Sequence, residues 1–154
     1  MDNAQCVYDG GLGCGVITEI PKGFAEVMWD SFKPYLERAL ADAPLEVTTM
    51  DAIRREIRTE TLMLLQIADG QGTRAICGLR FVPHRDGSKV LHIAYLSGDS
   101  HEMWIDELHQ YIWDLARARG CKWISLTGRP GWRKLIQKFN DNPRVVAVHL
   151  IAEV

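Results

Sequence analysis

Residues able to do acid, base or anion chemistry gather in one stretch of this chain, "KVLHIAYLSGDSHEMWIDEL", from Lys89 to Leu108. His92 can act as a base near neutral pH, and Tyr95 can donate a phenolic proton, as can Tyr111 just beyond. Gly98, Ser100 and His101 stand where a β-like run passes into a helical pattern. At such a junction free backbone N–H groups and the helix macrodipole both favour an anion. Farther along, Arg129 and Arg133 offer guanidinium groups for a phosphate or carboxylate. Each residue also has a plainer reading. His92 can be a hydrogen-bonded strand residue, Tyr111 lies on a buried stripe, and Arg129 can stack on the Trp132 indole. His101 with Asp99 and Glu102 would offer a metal all its ligands from four consecutive residues, which is poor geometry, so no metal site is expected.

Composition narrows the classes of function. The chain has 154 residues and a formal net charge of -2, which suits one domain and argues against a wholly basic nucleic-acid binder. Between Arg117 and Arg144, eight Lys and Arg face Asp141 alone, a surface that could attract an anion or be a solvated helix face. Cys6, Cys14, Cys77 and Cys121 form no C-x-x-C pair, so neither zinc nor a disulfide framework is signalled. No apolar run reaches the roughly 20 residues of a membrane span. A cytoplasmic protein is the expectation.

The elements that would position these residues follow from periodicity. "CVYDGGLGCGVITEIP" lacks the Gly-Lys-Ser/Thr ending of a phosphate loop and is expected to be irregular, so residues 1–23 form a glycine-rich arm before a domain over 24–154. Apolar residues from Phe24 to Ala41 recur at helical spacing, with a kink or break expected at Pro34. Thr49 or Asp51 can cap a second helix carrying Ile53 and Ile57. Three strand-like runs follow, "TLMLLQIA", "RAICGLRFVP" and "KVLHIAYL", joined by turns in which Asp69-Gly70 and Asp86-Gly87 supply positive-φ positions. In the third run His92 alternates with Leu91, Ile93 and Tyr95, which places those three on the opposite face. A helix from Glu102 to Arg119 ends at Gly120, and the strand "CKWISL" returns parallel to "KVLHIAYL" by a right-handed crossover. A short helix carrying Trp132, Leu135, Ile136 and Phe139 and a final strand "RVVAVHLIAEV" close the chain. The whole is an α/β architecture, a mixed sheet with helices on both faces.

This order resembles the GNAT N-acetyltransferase superfamily from about Phe24 onward. Gly98, Trp104, Leu108, Ala116, Gly120-Cys121, Gly128-Arg129, Gly131-Trp132, Leu135 and Phe139 look like the GNAT-like proteins of tailed bacteriophages, in which a "GR-x-GW" stretch opens the last helix. The resemblance implies a V-shaped opening between two parallel strands. There the pantetheine arm of acetyl-CoA pairs with strand backbone, and its pyrophosphate sits on a Gln/Arg-x-x-Gly-x-Gly/Ala loop at the crossover helix. It also implies a base, a backbone oxyanion donor and a tyrosine on the last helix. The sequence departs from that pattern in either register: with Gly98 as the first glycine, Tyr95 stands at the Gln/Arg position and Ser100 at the second small position, whereas one turn later His101 and Met103 stand at the two small positions; Trp132 to Phe139 hold no tyrosine.

Asp99 stands three residues before Glu102, the spacing of a capping box, which predicts a helix start whose donors are already satisfied. Two carboxylates would then lie where a diphosphate must dock, and like charges at ~5 Å repel by about 1 to 3 kcal/mol. Three functions therefore compete. The first is a non-catalytic phage GNAT-fold protein that needs no cofactor and acts by contact with a phage or host protein, or as a homo-oligomer. It would serve as a virion or assembly component or a host-binding factor, in the host cytoplasm or the particle. The second is an acyl-CoA-dependent N-acyltransferase using acetyl-CoA held by Gly98, Ser100, His101, Arg129 and Arg133, with His92, Tyr95 or Tyr111 as catalytic groups. The third, an anion or nucleic-acid binding module, has the weakest support.

Overall fold

The computed structural model describes residues 15–42 and 48–127. Five strands form one sheet in chain order: β1 Val16–Ile20, β2 Met63–Asp69, β3 Gly72–Pro83, β4 Lys89–Gly98 and β5 Cys121–Leu126. The first four are antiparallel neighbours and β5 runs parallel to β4. One face carries α1 Lys22–Val27, α2 Trp29–Ala41 and α3 Met50–Arg58. The other carries α4 Ile105–Ala118, the crossover between β4 and β5. Helices on both faces of a mixed sheet are thus as expected.

Two cores hold these layers together. Against α4, the Ile105, Leu108, Ile112 and Ala116 stripe meets Leu65, Ile67, Cys77, Leu79, Leu91 and Ile93. On the other face Phe32, Leu36, Ile53 and Ile57 pack on Leu64, Ile76 and Tyr95. Each large aliphatic side chain buried in this way contributes about 1.5–3 kcal/mol. Thr49 caps α3 by accepting from the Ala52 N–H at 3.1 Å. Gly120, at φ +68, ends α4's turn.

Several expectations are corrected. Val16–Ile20, assigned to an irregular arm, is β1, because Ile17 and Ile20 bury their side chains against the sheet. The break in the first helical stretch falls at Met28, and Pro34 lies inside α2. With the chain already redirected at Met28, Pro34 costs α2 a single intrahelical bond. In the β2–β3 turn the positive φ is at Gly72, not Gly70, because the Asp69 side chain accepts from the Gln71 N–H and tightens the turn ahead of it. In the β3–β4 turn it is at Gly87, as expected. The helix and strand expected over 132–154 lie outside the described residues. Among the described residues no helix is long and apolar enough to cross a membrane.

Glu26 ties α1 to α3 by pairing both oxygens with Arg54 and Arg58 at 2.7–3.2 Å. The bonds from Arg58 and Arg54 lower its pKa from 4.5 to about 2. A depressed carboxyl pKa adds stability that is complete above the unfolded value and lost as pH falls through the folded one. Glu26→Gln is therefore expected to lower Tm at neutral pH. The difference from wild type should shrink between pH 4.5 and 2 in a thermal-melt series.

Candidate functional site

The site begins with one extra residue in β4. Gly78 pairs with Tyr95 while Leu79 pairs with Ile93, so Ala94 has no opposite residue and forms a bulge. A one-residue slip turns every later side chain to the other face. Leu91 and Ile93 accordingly join the α4-side core, whereas Tyr95 joins the α1–α3 side. His92 lies opposite Arg80, whose guanidinium reaches Glu56 of α3, so His92 also faces α1–α3. The expected separation of His92 and Tyr95 onto opposite faces is overturned by this bulge.

The bulge coincides with the end of β4–β5 pairing. The last parallel partners are Ile93 and Leu126. From Ala94 to Gly98, β4 has no β5 partner among the described residues. The Ser97 hydroxyl in this segment is buried and has no hydrogen-bond partner among the described residues. A buried orphan of this kind costs about 1–3 kcal/mol unless something supplies the bond.

Polar side chains flank the bulge. His92 Nδ1 is 2.7 Å from Ser125 Oγ, joining β4 to β5. The Tyr95 hydroxyl accepts from Arg80 Nη2 at 3.0 Å, and Arg80 Nε donates to Glu56 Oε2 at 2.9 Å. Burial works against the Arg80 charge, but Glu56 and the Tyr95 oxygen more than offset it and hold its pKa above the ordinary value. Tyr111 is not part of this group. It sits on α4, across the sheet, where burial and then Glu19 raise its phenol pKa.

At the β4–α4 junction the capping box does not form. The Asp99 carboxylate accepts from Arg38 Nη1 at 3.0 Å, and its N–H donates to the Arg74 carbonyl. Ser100 takes a left-handed φ of 54, His101–Met103 make a 3-10 turn, and α4 starts at Ile105 with no side-chain cap. Trp104, buried, donates its indole N–H to the Asp99 carbonyl at 2.8 Å and locks the turn. The physical reason is competition: Arg38 of α2 holds the Asp99 side chain away from the first turn. Carboxylates do gather here. Asp99 is bridged by Arg38, Glu102 lies 3.5 Å from His101, and Asp106 and Glu107 occupy α4's first turn.

Gly98 answers to packing. A Cβ there would lie 2.3 Å from the Ala75 Cβ and 2.5 Å from the Arg74 oxygen. Arg129 and Arg133, like the Trp132 to Phe139 segment, lie outside the described residues. The structure thus brings His92 and Tyr95 together, places Gly98, Ser100 and His101 at the junction, and leaves Tyr111 apart. Sequence reasoning missed Arg80, Glu56, Ser125 and the Ala94 bulge. Arg80 was within reach, because counting outward from the Asp86-Gly87 turn puts it opposite His92.

No protein-family model and no curated protein matches the sequence. Solved structures do match in shape. An aminoglycoside acetyltransferase from an uncultured soil metagenomic sample, in complex with sisomicin, aligns over 90% of this chain and 95% of its own with a TM-score of 0.64 at 7% identity. Glucosamine-6-phosphate N-acetyltransferase from Arabidopsis thaliana aligns over 89% and 97% with a TM-score of 0.61 at 15% identity. A transcriptional regulator from Bacillus halodurans C-125 aligns over 91% and 99% with a TM-score of 0.60 at 18% identity. The chain has the GNAT fold of these acetyltransferases.

Gly98→Ala forces β3 and β4 apart and is expected to cost about 1–3 kcal/mol. It should lower Tm by on the order of 5 °C in calorimetry. Burial pushes the Cys77 thiol up to about 12. Under a thiol reagent, peptide mapping should show Cys121 modified well before Cys77, because the thiolate is the reactive form.

Proposed function

We propose that the chain is an acyl-CoA-dependent N-acyltransferase. One observation carries this reading: β4 bulges at Ala94 where β5 leaves it, so Ala94–Gly98 presents strand backbone toward the space beside a parallel neighbour. Backbone in that state can pair with an extended amide-containing chain, and the pantetheine arm of acetyl-CoA is one. The orphaned Ser97 hydroxyl fits a ligand in this segment. The uncapped start of α4 removes the strongest argument against a diphosphate, since the junction amides are not consumed by Asp99. Ser100 and His101 would hold the diphosphate, with Arg38 offsetting the Asp99 charge. The likeness to acetyltransferases of several specificities supports the reaction class and leaves the acceptor undefined.

The bound substrate supplies an activated acyl thioester. The chain's own residues do the rest. A bulge amide at Ala94 is suited to stabilise charge on the acyl oxygen, and His92, oriented through Ser125, takes a proton from the amine. A second reading, a non-catalytic contact role in a phage particle, in its assembly or on a host protein in the cytoplasm, rests on different observations. The junction is rich in carboxylates, and Phe24 and Val27 lie exposed on α1 at 50% and 79%. The basic-surface reading gains nothing from the described residues: Arg117 bonds Asp114, Lys122 bonds Asp86, and Arg119 stacks on Phe81.

Thermal shift separates the readings. At acetyl-CoA near 100 times its Kd, an enzyme gains about 2.7 kcal/mol, or roughly 5–10 °C for a domain of this size. Arg38→Glu, which adds charge beside the junction, should weaken that binding by about tenfold. Indifference to both acetyl-CoA and CoA would contradict the acyltransferase and leave the contact role.

A further inference from the structure

We infer that the apolar row Val82–Val90–Trp123 is the acceptor shelf of this site and selects primary amines that carry an uncharged apolar or aromatic body on a short carbon chain. This rests on the N-acyltransferase reading above.

The row crosses three strands. Val90 of β4 stands opposite Val82 of β3 on one side and Trp123 of β5 on the other. All three face the α1–α3 side, since Val90 precedes His92 by two residues on the same strand. Among the described residues neither core includes them. Val82 is 40% exposed and Trp123 50%. Single exposed apolar residues are ordinary, whereas a contiguous row about 10 Å wide marks a binding surface.

Trp123 is held in place despite its exposure. The register between β4 and β5 slips at Lys89/Val90, which leaves Lys122 without an opposite residue. Lys122 Nζ lies 5.7 Å from the Trp123 ring centroid and donates to Asp86 Oδ2 at 3.2 Å. The other oxygen, Asp86 Oδ1, accepts from the Ser88 N–H at 2.9 Å and lies 2.9 Å from His84 Nδ1. The indole is thereby oriented before any ligand arrives, which lowers the entropic cost of binding on it.

Position and charge name the occupant. The next row along the sheet is Arg80–His92–Ser125, which holds the proposed base about 7 Å from Val90. The acyl-CoA takes the strand beyond, from Ala94 to Gly98, so an amine with its nitrogen at His92 lays its substituent the other way, over Val90 and Trp123. In the transfer the acyl group passes from sulfur to that nitrogen and the amine proton goes to the thiolate, giving an amide and a thiol. The substituent takes no part in bond making and acts through binding alone. The Arg80 and Lys122 charges flanking the shelf are each paired, with Glu56 and Asp86. They leave no surplus charge for a polycation or a phosphate-bearing acceptor, and an uncharged apolar body fits the shelf instead.

The test uses the full chain with acetyl-CoA and phenethylamine, tryptamine, ethylamine, spermidine or glucosamine, reading thiol release for kcat and KM beside acetyl-CoA binding by calorimetry. Phenethylamine and tryptamine should exceed the other three in kcat/KM by at least about tenfold. Trp123→Ala should remove about tenfold of that advantage through KM, Trp123→Phe should restore most of it, and Val82→Ser should act in the same direction as Trp123→Ala. Melting curves check that each variant folds. Independently of turnover, phenethylamine should bind the CoA-loaded wild type, and bind Trp123→Ala about tenfold more weakly, in calorimetry. A preference for spermidine or glucosamine would overturn the inference alone, as would a folded Trp123→Ala with the wild-type KM for phenethylamine, or acetyl-CoA binding with neither aromatic amine acylated. A dimer in sedimentation that Trp123→Ala dissolves would assign the shelf to a second copy of the chain and overturn it as well. Failure of wild type to bind acetyl-CoA would overturn both the inference and the acyltransferase reading.

Discussion

The extra residue at Ala94 is the constraint on which the rest of this site depends. Strand side chains alternate strictly, so a single insertion decides which face each later residue serves. Before it, Leu91 and Ile93 feed the core beneath α4; after it, Tyr95 turns toward α1–α3 and joins the face of His92. Pairing with β5 ends at the residue just before the bulge. The same departure that reorients Tyr95 therefore leaves the strand beyond it without a described neighbour on that side. A regular β4 would bury Tyr95 under α4 and separate it from Arg80.

The segment beyond the bulge is pinned on its β3 side. Gly98 approaches Ala75 more closely than any side chain permits, and the Asp99 N–H continues the contact to the Arg74 carbonyl. Arg38 then takes the Asp99 carboxylate, and Trp104 takes its carbonyl. These bonds hold the chain into the left-handed Ser100 and the 3-10 turn, so α4 starts later than its sequence signature suggests. Acidic residues at the junction remain, and any polyanion docking there must use the Arg38 guanidinium and the backbone amides beside them.

Much of the layer architecture was legible because it rests on local periodicity. The α4 stripe, the Thr49 cap, the positive φ at Gly87 and the parallel return of Cys121–Leu126 all follow from short-range patterns. The site was legible only in outline. His92 and Tyr95 stand out by chemistry, but their common face depends on a bulge that leaves no mark in composition, since an alanine in a strand looks alike paired or inserted. Asp99 and Glu102 have capping-box spacing, yet a residue 61 positions away claims the aspartate. Val16–Ile20 was obscured by the glycines before it, and its place in the sheet is decided by its long-range pairing with β2.

The proposed acyl-CoA site lies along the backbone between Ala94 and Gly98. Amide hydrogen exchange resolved to single residues, with and without acetyl-CoA, tests it most directly. Slowed exchange confined to Ala94–Gly98 and the Ser100–Glu102 amides is expected on adding the ligand. Protection elsewhere with no change in β4, or no change anywhere, would contradict it.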